Sequence, residues 1–216
     1  MSDPRRPRVL LADDHRLVAE ALKSLLAPEF DLVGIAEDGQ ALVELVRTLR
    51  PDAVVADITM PRLNGIEALV RLRQEGDQTP VVFLTMHRDV AYALRALEAG
   101  ASGFVLKDAA PDELVLALRS VLKGKTYLTP ELAGEVLDAM KPGGGNSTDP
   151  VASLTLRKRE ILQLLSEGKS VKEIAACLGI SIRTVEFHKY ELMEKLGLRS
   201  SADLTRFAIR HGLLAL

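Results

Sequence analysis

Asp57 ends an apolar run, Ala53 to Ala56, and the chain then breaks at Pro61 and Gly65. A buried strand that stops on a carboxylate delivers that group to the carboxyl edge of an open α/β sheet, where such sheets place ligands. Three other strand-like runs end in the same way: Val9 to Ala12 in Asp13-Asp14, Val81 to Leu84 in Thr85, and Phe104 to Leu106 in Lys107. In a parallel sheet these ends share one edge, so three carboxylates, a hydroxyl and an ammonium converge in one crevice. Crowded carboxylates raise one another's pKa unless a cation sits among them, and hard oxygen ligands with few protein contacts suit Mg²⁺. Lys107 and Thr85 are groups that hold phosphoryl oxygens. Each residue alone is an ordinary turn, cap or surface residue; together they point to a site for a phosphoryl group.

The elements that must position them alternate along the first 125 residues. Strand-like Arg8 to Ala12, Leu32 to Ile35, Ala53 to Ala56, Pro80 to Leu84 and Gly103 to Leu106 are each followed by an amphipathic run. These runs are His15 to Leu26, Gly39 to Leu49, Gly65 to Gln74, Asp89 to Glu98 and Pro111 to Leu122. Five such pairs predict an α/β parallel sheet covered on both faces. Pro130 to Met140 reads as a further short helix, with Leu132, Val136 and Leu137 apolar and Thr129 as N-cap. The KPGGGNSTDP stretch after it has the composition of a flexible tether.

Residues 154 to 212 carry four helical patterns. Ser170 with Glu173 forms a capping box, and Gly179-Ile180-Ser181 is a tight turn into the third helix with Ser181 as N-cap. Two short helices joined in this way predict a helix-turn-helix.

The bulk numbers fit two cores. The chain has 216 residues, 47% of them hydrophobic, enough for two globular pieces. Cys177, the single cysteine, excludes an intramolecular disulfide or a cysteine-rich zinc site, and its simplest role is core packing. No apolar run approaches bilayer length and MSDPRRPR lacks a secretory signal's hydrophobic segment, so the expected location is cytoplasmic, with no membrane partner. The net charge of -2 divides into -6 over residues 1–140 and +4 over residues 151–216, hinting at nucleic acid on the C-terminal side.

Asp13-Asp14, Asp57 in DITMP with Gly65, Thr85 in LTM and Lys107 in GFVLKD resemble the receiver domain of bacterial response regulators. The resemblance implies a flavodoxin-like doubly wound five-stranded sheet of order 2-1-3-4-5. It implies that Asp57 accepts a phosphoryl group from a sensor histidine kinase, and that Asp13, Asp14, Asp57 and the Thr59 carbonyl hold Mg²⁺. Thr85 and Lys107 then grip the phosphoryl oxygens, and Phe104 takes the aromatic switch position. Thr59 and His87 flank the site and are expected to influence hydrolysis of the phosphoryl group.

The run from Leu154 to Ser200 is similar throughout to the LuxR-type helix-turn-helix, and with the receiver it resembles the NarL/FixJ class. The expected domains are a receiver over 1–125, a linker helix and glycine-rich tether over 126–153, and a smaller all-α four-helix domain over 154–216. By that similarity the helix from Ile182 to Leu196 enters the major groove of double-stranded DNA. Arg183, Glu186, Phe187 and Tyr190 face the bases, and Thr184, Lys189 and Lys195 suit phosphate contacts. One departure from the family is Lys158, where a capping Glu is usual; it costs on the order of 0.5 kcal/mol or reaches a DNA phosphate.

The active form is expected to be a homodimer, with Ala202 to Arg210 as its interface in the DNA-binding half. The receiver is expected to cover part of the recognition helix at rest. An aspartate-nucleophile phosphatase is disfavoured, because position 59 is Thr where such enzymes place their second acid. The alternative function is a regulator acting through phosphorylation-independent protein contacts.

Overall fold

A computed structural model describes residues 5–86, 90–108, 111–139, 150–151, 153–211 and 213–214. The strands are β1 (Arg8–Ala12), β2 (Asp31–Ala36), β3 (Ala53–Ala56), β4 (Val81–Thr85) and β5 (Gly103–Leu106). Between and after them run α1 (Arg16–Leu26), α2 (Gly39–Leu49), α3 (Gly65–Gln74), α4 (Val90–Glu98) and α5 (Pro111–Val121). All pair in parallel, in the order 2-1-3-4-5 that the family resemblance implies.

Both faces of this sheet are buried, which explains why its strands read as continuous apolar runs. Side chains alternate between the faces: Val54, Ala56, Val81 and Phe83 join α2, α3 and α4 in one core. Ala53, Val55, Val82 and Leu84 join α1 and α5 in the other. The parallel crossovers leave β3 at the centre, so Asp57 emerges between β1 and β4.

A sixth short strand, β6 (Tyr127–Leu128), extends the expected five by pairing with β5, and α6 (Pro130–Ala139) follows it. Leu132 and Val136 of α6 pack into the α2–α4 core, whereas Leu137, read as apolar helix face, is exposed. The Thr129 hydroxyl accepts from the Leu106 N–H at 3.2 Å, tying the start of α6 to the strand end beside Lys107.

The C-terminal half comprises α7 (Leu156–Ser166), α8 (Val171–Leu178), α9 (Ile182–Leu196) and α10 (Ser201–Arg210) around a third core. Its local signals act as read: the Ser170–Glu173 capping box forms, Gly179 closes α8 at φ +63, and the Ser181 side chain caps α9. Thr155 caps α7 by accepting the Lys158 N–H. The Lys158 ammonium lies 3.2 Å from Glu191 on α9, a partner within the domain where the sequence suggested a phosphate. Cys177 is exposed on α8 rather than packed, because Ile174 and Ala175 supply that helix's buried face. Among the described residues, no helix is long and apolar enough to cross a membrane.

Candidate functional site

Three strand ends meet at the carboxyl edge of the sheet. The Lys107 ammonium donates to Asp13 Oδ2 at 2.8 Å and to Asp57 Oδ2 at 2.6 Å, bridging residues 94 and 50 positions away. Asp13 and Asp57 are only 3% and 6% exposed, so the cation offsets much of the cost of burying two carboxylates. Burial pushes the Asp57 carboxyl up, against the pull of Lys107. Burial also opposes the Lys107 charge, but Asp57 and Asp13 outweigh it and hold its pKa above the ordinary lysine value.

Carboxylate oxygens of Asp13, Asp14 and Asp57 and a His15 ring nitrogen lie within 4.8 Å of one another. Three carboxylates at a water-accessible edge are a hard donor set that fits Mg²⁺. His15 was not among the candidates from the sequence; its adjacency to Asp13-Asp14 was the available signal. Its Nδ1 lies 2.9 Å from Asp14 Oδ1, and its backbone N–H donates to Asp13 Oδ1 at 2.8 Å, orienting that carboxylate.

The Thr59 N–H donates to Asp57 Oδ1 at 3.3 Å. Thr85 lies wholly buried on β4, and its carbonyl accepts the Lys107 N–H at 2.8 Å. Phe104 is also wholly buried, in register with Phe83, so it stands inward in this structure. His87 lies outside the described residues.

The loop after Asp57 is tightly constrained. The Gly65 N–H donates to the Ile58 carbonyl at 2.8 Å, and a Cβ at Gly65 would fall 2.2 Å from the Asp57 carbonyl oxygen. Only glycine admits that approach. Arg62 adopts φ +64, a left-handed conformation unusual for a side-chain-bearing residue. The following Asn64 caps α3 by accepting the Glu67 N–H at 2.9 Å.

On α9, Arg183, Glu186, Phe187 and Tyr190 are exposed, the two aromatics at 60% and 70%. Val185 and Leu192 turn inward and hold the helix to the core. Thr184 is engaged with the Ser181 hydroxyl at 2.8 Å, and Lys195 donates to the Ser153 carbonyl at 2.7 Å. Lys189 is half-buried.

The receiver was expected to cover this helix. It packs instead on α7 and the end of α10. Gln163 of α7 donates to the Met60 carbonyl at 2.8 Å and accepts the Asn64 N–H at 2.9 Å. Glu167 accepts the Arg62 N–H at 2.8 Å. Glu67 of α3 takes Arg159 of α7 at 2.9 Å and Arg95 of α4 at 3.3 Å, and Arg95 also donates to the His211 carbonyl. Burial pushes the Glu67 carboxyl up while the two guanidinium groups oppose it. Matching groups decide this docking: α7 presents an amide and a carboxylate to backbone groups of the loop. Gln163, Glu167 and Glu67 had no sequence signal, since a polar residue on an amphipathic helix reads as a solvated face.

Comparison with known proteins agrees in both halves. Residues 9–119 match the family model of the response regulator receiver domain, and residues 152–208 that of bacterial regulatory proteins of the luxR family. The chain is 38% identical over its full length to the transcriptional regulatory protein MctR of Rhizobium johnstonii, covering 99% of that protein. It is 36% identical to the oxygen regulatory protein NreC of Staphylococcus aureus, over 96% of this chain and 99% of the relative. Among solved structures it resembles the response regulator RcsB in a DNA complex, with TM-score 0.58 and 27% identity, over 94% of this chain and 98% of that one.

Proposed function

The chain belongs to the response regulators that join a receiver domain to a LuxR-family DNA-binding domain, and on that premise we propose that Asp57 is its phosphoacceptor. The observation that carries this reading is the Lys107 ammonium shared between Asp13 and Asp57 at the sheet edge. An Asp57 carboxylate oxygen attacks the phosphorus of a phosphohistidine on a sensor kinase. The P–O bond forms as the P–N bond breaks, and the imidazole nitrogen keeps the electron pair. Asp13, Asp14, Asp57 and the Thr59 carbonyl are the residues that would hold Mg²⁺, which when bound offsets the charge of the carboxylates and phosphoryl oxygens. Lys107 and Thr85 hold the transferred oxygens, and Phe104 fills the interior beside Thr85 as the switch. Thr59 and His87 flank the pocket and set access of water to the phosphoryl group.

The output is transcriptional. We assign base contacts to Arg183, Glu186, Phe187 and Tyr190 and phosphate contacts to Thr184, Lys189 and Lys195, after Lys195 releases Ser153. The active species is a homodimer acting in the cytoplasm. The receiver spans residues 1–125, the connection 126–153 and the DNA-binding half 154–216; β6 and α6 dock the first part of that connection on the receiver.

Incubation with acetyl phosphate and Mg²⁺, followed by intact mass, tests the acceptor. Wild type gains one phosphoryl group and Asp57→Ala gains none; an equal gain in both sinks the assignment. Selection of bound DNA from a random pool by the phosphorylated protein tests the output, with a two-fold symmetric site as the expected result.

A further inference from the structure

The start of α7 and the flank of α9 are joined through one carboxylate oxygen. Lys158 lies in the first turn of α7, where a cation opposes the helix dipole and a Glu would close the cap that Thr155 opens. Its ammonium lies instead 3.2 Å from Glu191 Oε2 on α9. The same oxygen accepts from His188 Nδ1 at 3.2 Å, one turn earlier on α9. Lys158 holds the Glu191 carboxyl below the usual carboxylate range, with His188 adding to it, so Glu191 stands there as an anion. An ionised carboxylate only accepts, so this bond places an imidazole proton on Nδ1. The His188 ring in turn meets that of Phe187 edge to face, with centroids 5.6 Å apart. Lys158 and His188 are 21% and 22% exposed, whereas Phe187 is 60% exposed. A line of contacts thus runs from α7 to an aromatic ring that faces outward.

An exposed ring on a helix turns among several rotamers and must be ordered when it meets a base. A ring braced on one side has less freedom to lose. It also adapts less to a wrong base, so bracing raises discrimination between sites. We propose that Lys158 and Glu191 are specificity-determining positioning residues of the DNA-reading helix: Lys158 fixes Glu191, Glu191 fixes the His188 ring, and His188 sets the posture in which Phe187 meets the bases. This rests on α9 entering the major groove. The side chains of Arg183 and Tyr190, also exposed on α9, make no hydrogen bond, ion pair or ring contact among the described residues, so the brace acts on the contacts of Phe187 and not on theirs.

Lys158→Glu separates a brace from a poor cap. A poor cap is mended by it, because the new carboxylate closes the cap of Thr155 and base reading is untouched. A brace is broken by it, because that carboxylate repels Glu191. The full-length protein, treated with acetyl phosphate and Mg²⁺, is titrated by fluorescence anisotropy with the duplex that wild type selects and with its single-base variants. Phe187→Ala and Tyr190→Ala mark the base pairs that each ring discriminates. At the pairs of Phe187, Lys158→Glu is expected to lower the ratio of affinities about fivefold, with the pairs of Tyr190 and the melting temperature as in wild type. The double exchange Lys158→Glu, Glu191→Lys pairs the two positions again, and its ammonium can donate to His188 Nδ1; the ratio returns to within about twofold of wild type. Unchanged ratios in Lys158→Glu overturn the proposal, as does a loss spread evenly over all base pairs, a double exchange no better than Lys158→Glu, or a Phe187→Ala that alters no ratio. If Lys158→Glu fails to fold by circular dichroism, Lys158→Gln decides: a smaller loss at the same pairs upholds the proposal and wild-type ratios overturn it. Wild type that binds no DNA sinks the reading of α9 and the proposal with it, an outcome separate from unchanged ratios.

Discussion

Asp13, Asp57 and Lys107 come from strand ends as much as 94 positions apart and meet in a buried pocket, whereas Arg183, Phe187 and Tyr190 come from one 15-residue helix and face outward. In the pocket each charge is held by another, so no member can change without exposing a partner to an apolar interior. On the helix the outward side chains are decoupled from folding, because Val185 and Leu192, with Met193 and Leu196 beside them, bind its opposite face to the core. The proposed input chemistry is therefore rigid and interdependent, and the proposed output recognition is modular.

Replacing Lys107 by Met is the strongest challenge to that contrast. It leaves Asp13 and Asp57 facing each other and is expected to cost the receiver about 3 kcal/mol by denaturant unfolding and to abolish labelling of Asp57. The raised Lys107 pKa gives the same contact a pH signature. Its stabilisation is complete below the ordinary lysine value and lost as pH rises through the higher folded value. A variant of unchanged stability would show that the pocket is less interdependent than its geometry.

Comparable in stability but without loss of labelling is Leu192→Ala, at a wholly buried position of the third core. A loss of about 3 kcal/mol is expected in the melting of the C-terminal half, leaving Asp57 labelling intact. Phe187→Ala and Tyr190→Ala, at exposed positions, should shift stability by less than about 0.5 kcal/mol. Each should weaken binding to the selected DNA by about 1 kcal/mol or more in fluorescence anisotropy. A large stability loss in either would break the claim that recognition is decoupled from folding.

The smallest effect concerns the cap of α10. The Ser200 hydroxyl, Arg206 and the Arg199 N–H hold the Asp203 carboxyl at about 2. Its contribution is present above the ordinary aspartate value and lost as pH falls through about 2. In Ser200→Ala, NMR titration should find Asp203 moved upward; an unmoved value would assign the shift to Arg206.

Strand ends and helix caps were legible because they are written locally. Apolar runs stopping at Asp13, Asp57, Thr85 and Lys107 required a shared sheet edge, and Ser170, Gly179 and Ser181 set their helix ends through neighbouring backbone. β6 was too short for any period to reveal, and Cys177 was misplaced because residue type alone does not say which face of α8 it occupies. His15 is legible only through its adjacency to Asp13-Asp14, because the fold decides where its ring turns. The cover expected over α9 gave way to one on α7.

The sequence by itself determined the parallel sheet, the helix-turn-helix and the convergence of acid, hydroxyl and ammonium, since hydrophobic period and parallel pairing leave few arrangements, and the strand order came with the family resemblance. Tertiary structure alone decided the seam: that Gln163 and Glu167 complete the backbone hydrogen bonds of the acceptor loop, and that Glu67 lies between Arg95 and Arg159. Such contacts join polar groups across nearly 100 positions, and no periodicity records which buried N–H a distant amide will satisfy.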